Sequence, residues 1–234
     1  WFDTKYYHLL YANRDDSEAE RFVSNLYSTI ELQERSEVLD LACGKGRHSR
    51  TLHSLGCDVV GVDLSYNSIQ EAKRISSTEI EFLVHDMREI IPNKHFDAIF
   101  NLFTSFGYFD DISDNGKMIS SIDAMLNEGG FLIIDFMNAR KVIDRLVAEE
   151  TKSVGGIDFN IQRHYNGTHI LKTISFSDEE AEHMFTEKVQ ALFIKDFQKL
   201  LSAQNLSIIH TFGNFDLDPF DENTSDRLII IAQK

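Results

Sequence analysis

The run Val38-Leu39-Asp40-Leu41-Ala42-Cys43-Gly44-Lys45-Gly46-Arg47-His48-Ser49 constrains the fold more than any other stretch of the chain. It reads as an apolar strand that ends in an acid, turns through two glycines and opens a helix. Glycines let the backbone turn tightly and approach a ligand with no Cβ in the way, and the first turn of the helix that follows carries unpaired N–H groups. Such a segment predicts a nucleotide-type cofactor site with an anionic group above the turn. An ordinary strand-to-helix turn reads the same way, so the neighbouring segments have to decide.

Nineteen residues beyond Gly44, the second apolar strand, Cys57 to Leu64, ends in Asp63, where a carboxylate can accept both hydroxyls of a ribose. The third, Ile80 to Val84, runs into His85-Asp86-Met87. Phe96 to Phe103 forms a fourth, and Leu126-Asn127-Glu128-Gly129-Gly130 precedes a fifth, Phe131 to Phe136. The pattern predicts strands at 37–42, 58–63, 80–85, 96–101 and 130–136, with helices at 46–55, 66–76, 113–126 and 138–149. This alternation implies a parallel sheet with right-handed crossovers.

Ahead of it lie two helical stretches, Tyr6 to Asn13 and Asp16 to Gln33, the second with Ala19, Phe22, Val23, Leu26, Tyr27 and Ile30 at helical spacing. Residues 1–36 are expected to form a helical lid. At Thr151 the period changes: Ile157 to Tyr165, Thr168 to Phe176 and Glu182 to Phe193 are strand-like, the first two joined by Asn166-Gly167, a favoured hairpin turn. Residues 151–193 therefore predict an antiparallel insert. A helix from Ile194 to Asn205 leads to strands at 206–212 and 227–232, joined by the loop Gly213 to Asp226. At 234 residues the chain fits one α/β domain, 1–234, with this elaboration.

Motif by motif and in order, the chain resembles the class I S-adenosylmethionine-dependent methyltransferases. It looks closest to their small-molecule branch: Asp40 to His48 and Asn101 to Phe109 are similar to a group of mostly uncharacterised bacterial methyltransferases and, more distantly, to the N-methyltransferases of amino-sugar biosynthesis. The resemblance implies a Rossmann-like, seven-stranded, mostly parallel sheet with the last strand antiparallel. It also implies a cofactor site. The first turn, with Asp40, Ala42, Cys43, Gly44, Gly46 and Arg47, would hold the methionine portion of S-adenosylmethionine; Asp63 would bind the ribose and Asp86 the adenine amino group, with Leu64 and Met87 against the purine. Tyr11, Asn101 and Leu102 join this set. One departure is Ala42, where the family has its first glycine. Tyr6 to Tyr11 resembles the aromatic lid of the branch, in which a tyrosine lies near the sulfonium. Tyr7, His8 and Tyr108 are the candidates for catalysis, and Phe103, Phe106, Tyr108, Phe215 and Phe220 for an aromatic acceptor pocket.

Two other nucleotide folds are weighed against this. A dinucleotide-dependent oxidoreductase wants G-x-G-x-x-G, but Ser49 stands at the third glycine, and no G-x-x-x-x-G-K-[S/T] phosphate loop is present. A non-catalytic S-adenosylmethionine-binding module is the other alternative, since fold does not fix function.

With a net charge of -15, the chain shows no basic stripe of the kind that grips nucleic acid. Asn101-Leu102-Phe103-Thr104 also lacks the two prolines that DNA and RNA amino methyltransferases place after the fourth strand. Both features point to a small-molecule acceptor with an N or O nucleophile. Catechol-type O-methyltransferases need acidic metal ligands that Asn101 to Tyr108 does not offer, and the nine histidines have no zinc-type spacing, so no metal is expected. The acidic run Ser177 to Glu182 reads as a solvated turn. Cys43 and Cys57 read as small buried residues, which suits a reducing cytoplasm. No run approaches 18 apolar residues and no signal pattern opens the chain, so no membrane partner is expected. Because the chain opens at Trp1, a few native residues are expected to precede it. A monomer or homodimer is expected.

Overall fold

The computed structural model describes residues 1–11, 16–178 and 181–234. Its helices are α1 (Lys5–Leu10), α2 (Asp16–Thr29), α3 (Arg47–Ser54), α4 (Tyr66–Ile75), α5 (Ser113–Met125), α6 (Ala139–Asp144) and α7 (Ile194–Ser202). Its strands are β1 (Glu37–Leu41), β2 (Asp58–Asp63), β3 (Glu81–Val84), β4 (Phe96–Asn101), β5 (Leu126–Met137), β6 (Glu149–Val154), β7 (Ile157–Tyr165), β8 (His169–Asp178), β9 (Ala181–Gln190), β10 (Ser207–Phe212) and β11 (Arg227–Gln233). The main sheet has the order β10-β11-β5-β4-β1-β2-β3, and only β11 runs against its neighbours. This is the expected seven-stranded sheet with its last strand antiparallel.

The strands read as continuous apolar runs because both faces are covered. Leu39, Leu41, Ile99, Leu132, Ile134 and Phe136 face α5 and α7, packing with Met118, Ile122, Phe197 and Leu201. The alternate residues Val38, Ala98, Phe100 and Ile133 face Phe22, Val23 and Leu26 of α2, Leu52 of α3 and Ile69 of α4. Helix α2 is thus a wall of the core.

The insert has one more strand than the sequence suggests. Strands β6 to β9 form a separate antiparallel sheet. The first of them, Glu-Glu-Thr-Lys-Ser-Val, is a mostly exposed edge with no apolar alternation, so its pattern hides it. Its signal is Gly155-Gly156, both at positive φ (59° and 79°), a two-residue turn that joins β6 to β7. The helix expected over 138–149 is confined to α6, which is capped at Arg145, and β6 begins at Glu149. The fifth strand starts early, at Leu126, with a register shift between its pairings at Phe96 and Ala98 of β4.

Helix α1 lies on the insert, where Leu10 packs with Phe159, Ile161, Ile174 and Phe176, and Trp1, Tyr6, Leu9 and Tyr11 join them. Ala12 and Asn13 at the end of the first expected helix, and Glu179 and Glu180 of the acidic run, lie outside the described residues. Among the described residues, no helix is long and apolar enough to cross a membrane.

Candidate functional site

At the carboxyl end of β1 the chain makes the left-handed turn that its glycines foreshadow. Ala42, Gly44 and Gly46 have φ of 66°, 56° and 73°. Ala42 occupies a conformation that costs a residue with a Cβ about 1–2 kcal/mol, and the turn forms nonetheless. Gly46 is fixed by packing: a Cβ there would meet the Phe82 ring at 2.6 Å, and so would one on Gly61 of β2. Phe82 is therefore wedged between the start of α3 and β2. Gly44 differs, because a Cβ there meets nothing within 4 Å, so its open side faces space a ligand can use. Cys43 donates its N–H to Val62 O at 2.8 Å, and Gly44 donates to Asp63 Oδ2 at 2.9 Å. Asp63 Oδ1 also accepts the Ser65 N–H at 2.8 Å, which locks this acid to the turn and to the entry of α4.

Asp40 lies beneath the turn, 1% exposed, and accepts the Ser49 hydroxyl at 2.6 Å. Burial pushes its carboxyl up from 3.8 to about 6, against the Ser49 bond that lowers it. A folded-state value above the unfolded one means that Asp40 favours the fold while protonated. That contribution is complete below pH 3.8 and is lost as pH rises through about 6. The loss is about 3 kcal/mol. In urea titrations, Asp40→Asn is expected to gain about that much on the wild type between pH 4 and pH 7; a gap that stays flat with pH would place the Asp40 carboxylate in water.

A cavity of about 350 Å³ opens beside the turn, lined by Ala42, Asp63, Leu64, Asp86, Met87 and Tyr108, all expected site residues, together with His85, Arg88, Phe109, Asp110 and Asp114. Leu64 is 71% exposed. Arg88 grips Asp86 through Nε (3.0 and 3.2 Å) and Nη2 (2.6 Å) and reaches Asp114 through Nη1 at 2.7 Å. Its guanidinium holds the Asp86 carboxyl below the usual carboxylate range. Neither Arg88 nor Asp114 is among the expected binding residues, although Asp86 to Arg88, which follow the third strand, are expected at the crevice beyond the strands' carboxyl ends. A larger hollow, about 430 Å³, lies at the opposite end of the strands, between Glu31–Ser36 and Gly129–Phe131, away from the turn.

At the end of β4, Asn101 is fully buried; its Nδ2 donates to Leu41 O at 2.9 Å and its Oδ1 has no hydrogen-bond partner among the described residues. Phe103 and Thr104 follow in consecutive left-handed conformations, φ 63° and 58°. Asp135 accepts the Phe103 N–H at 2.8 Å, and Arg227 bridges Asp135 Oδ1 and the Thr104 hydroxyl at 2.8 and 2.9 Å. The Arg47 guanidinium lies 5.6 Å from the Phe103 ring.

Four further expected positions pack with the core clusters, Leu102 and Phe106 buried and Phe215 and Phe220 partly buried against them. Leu102 is buried in the core cluster that holds Phe22, Val23 and Leu26 of α2. Phe106 is 0% exposed against Phe197. Phe215 packs on Phe22 of α2, 4.5 Å between rings, and Phe220 on the opposite core. The loop 213–226 closes on itself, Gly213 donating to Asp218 O at 2.7 Å and Asp221 to Ser225 Oγ at 2.8 Å, and neither Phe215 nor Phe220 is among the residues that line the cavity.

Tyr7, Tyr11 and Tyr108 form a run of rings that starts at the insert. Tyr7 lies 4.8 Å from Tyr11 and 5.2 Å from Phe2, whose ring is 5.3 Å from Tyr108 (all between centroids). The Tyr11 hydroxyl donates to Glu187 of β9 at 2.9 Å. His8 follows Tyr7 on α1, close enough to Glu71 of α4 to help hold that carboxyl low, after the larger effect of Arg74. Among the described residues, no group of three or more His, Cys, Asp or Glu side chains could hold a metal.

The chain as a whole has counterparts among known proteins. A family model described as a methyltransferase domain matches residues 32–190. The putative methyltransferase YqeM of Bacillus subtilis (strain 168) is 28% identical over 214 residues, 87% of this chain and 86% of that protein. The glycine/sarcosine N-methyltransferase of Aphanothece halophytica is 25% identical over 228 residues, 94% of this chain and 83% of that protein. The crystal structure of an S-adenosylmethionine-dependent methyltransferase from Clostridium acetobutylicum ATCC 824 superposes with a TM-score of 0.82 at 20% identity, covering 97% of this chain and 95% of that one, a likeness of fold.

Proposed function

The chain belongs to the methyltransferase-domain family and is an S-adenosylmethionine-dependent enzyme; on that premise we propose that its acceptor is a small-molecule amine, held beside Tyr7, Tyr11 and Tyr108. The residues around the turn fit the cofactor. Gly44 leaves its Cβ side open, and the first turn of α3 suits the methionine carboxylate. The partnerless Asn101 Oδ1 suits the methionine ammonium. A carboxylate has about four acceptor sites, so Asp63 can take a ribose diol beside its two N–H bonds. Leu64 and Met87 offer apolar surface to the purine, and Asp86, already gripped by Arg88, would accept from its amino group.

When bound, S-adenosylmethionine supplies a sulfonium-activated methyl carbon for in-line displacement. The protein's part is to align a lone pair with that carbon and to exclude water. The observation that carries the amine is the aromatic wall Tyr108-Phe2-Tyr7-Tyr11, which runs from the cavity to the buried carboxylate of Glu187. Aromatic faces and a carboxylate attract a cation, whereas a neutral hydroxyl gains little from either. The net charge of -15 argues against a nucleic-acid acceptor.

Titration calorimetry in chelator is expected to show binding of S-adenosylmethionine and S-adenosylhomocysteine but not NADH. Release of S-adenosylhomocysteine is then expected with glycine, sarcosine or an amino sugar and not with glycolate or glucose. Turnover confined to the hydroxyl compounds would remove the amine; NADH binding without S-adenosylmethionine binding would remove the cofactor site.

A further inference from the structure

The insert carries a charged cluster that cofactor binding does not explain. Glu187 of β9 and Lys172 of β8 face each other in register, 3.6 Å apart, and Glu187 is 8% exposed. Trp1 Nε1 donates to Glu187 Oε1 at 2.6 Å, and the Tyr11 hydroxyl lies 2.9 and 3.1 Å from the two carboxylate oxygens. Lys172 donates in turn to the Tyr11 oxygen. A buried ion pair adds little stability over apolar residues of the same volume, and buried titratable groups beside a ligand cavity cluster at functional sites.

We infer that Glu187 takes up the proton that the acceptor must lose, with the Tyr11 hydroxyl as the link. The inference rests on the amine reading above. An amine enters near neutral pH as an ammonium, which has no lone pair. Its N–H proton passes to the Tyr11 oxygen as the Tyr11 O–H proton passes to Glu187. The carboxylate becomes a neutral acid, the amine regains its lone pair and forms the N–C bond, and the electrons of the breaking C–S bond return to sulfur. Nothing is oxidised or reduced.

The groups that face this path are Lys172, Arg163, Glu150 and Lys152 on the sheet, and Trp1, Tyr7 and Tyr108 on the other side. Burial, with Glu187 beside it, raises the Tyr11 phenol far above its usual range, so Tyr11 stays protonated and conducts without being the final base. Lys172, which donates to the Tyr11 oxygen and pairs with Glu187, is the other titratable group in contact with the path.

The test compares kcat of the wild type, Glu187→Gln, Tyr11→Phe and Lys172→Met from about pH 6 to pH 10, with the acceptor that releases S-adenosylhomocysteine in the screen above. Near pH 7 Glu187→Gln is expected to lose about 100-fold in kcat while its S-adenosylmethionine affinity stays within about threefold. The deficit should shrink at least tenfold once pH exceeds the ammonium pKa, because the amine then arrives with its lone pair. Tyr11→Phe, which leaves the ion pair in place, should show the same pH signature even if Glu187→Gln folds poorly. A deficit independent of pH, or a signature that appears in Lys172→Met and not in Glu187→Gln, overturns the inference. If the wild type accepts only hydroxyl compounds, the amine reading fails separately; the Glu187→Gln deficit should then persist to high pH, and wild-type kcat in that variant would overturn the proton path too.

Discussion

Arg227→Met is expected to lower the stability of the fold by about 3–5 kcal/mol, the cost of breaking a buried ion pair from one side. Asp135 is 1% exposed and lies 2.7 Å from the Arg227 guanidinium. Without Arg227 its carboxylate keeps, among the described residues, the Phe103 N–H, and burial already raises its carboxyl above the ordinary value. Because the folded-state value is raised, the penalty belongs to the ionised form. The deficit should narrow as pH falls and Asp135 takes up a proton. Arg227 also holds the Thr104 hydroxyl, so the left-handed pair Phe103-Thr104 loses its anchor in the same variant. Urea unfolding at pH 7 and pH 4.5 checks both parts. Adding Asp135→Asn should recover part of the loss, since a neutral amide is cheaper to bury. A single variant within about 1 kcal/mol of the wild type would mean that water already reaches the pair.

The elements legible in the sequence are those whose residues meet the same environment along their whole length. Strands β1, β2, β4 and β11 are buried on both faces and read as apolar runs; the β1 turn announces itself because Gly46 has to clear Phe82. Strand β6 escapes such a reading because an exposed edge imposes no apolar pattern. Phe106, Phe215 and Phe220 show a different limit. Aromatic residues near strand ends are compatible with core and with site, and the packing of Phe106 on Phe197 and of Phe215 on Phe22 is set by tertiary contacts that no local pattern announces. Glu187 is illegible in the sequence, since its partners come from the end of α1 and from β8 and meet only once the strand register is set.

Asp63→Ala is expected to weaken S-adenosylmethionine binding on the order of 10- to 150-fold, the loss of about 1.5–3 kcal/mol from a hydrogen-bonded charge. The structure adds a second route to the same loss. Asp63 fixes the Gly44 N–H at 2.9 Å and the Ser65 N–H at 2.8 Å, so the variant frees the turn as well as removing the proposed ribose ligand. Asp63→Asn separates the two. Its carbonyl can still accept one of these N–H bonds, which preserves part of the turn, but its amide cannot accept from a ribose hydroxyl as a carboxylate oxygen does. If ribose recognition dominates, Asp63→Asn binds nearly as poorly as Asp63→Ala; if the turn dominates, it recovers most of the affinity. The packing of β2 between β1 and β3 does not depend on this side chain, so the fold should persist. Calorimetry with S-adenosylhomocysteine, paired with melting curves, makes the measurement. An Asp63→Ala protein that binds within about threefold of the wild type and melts unchanged would show that the carboxylate serves neither the turn nor the ligand.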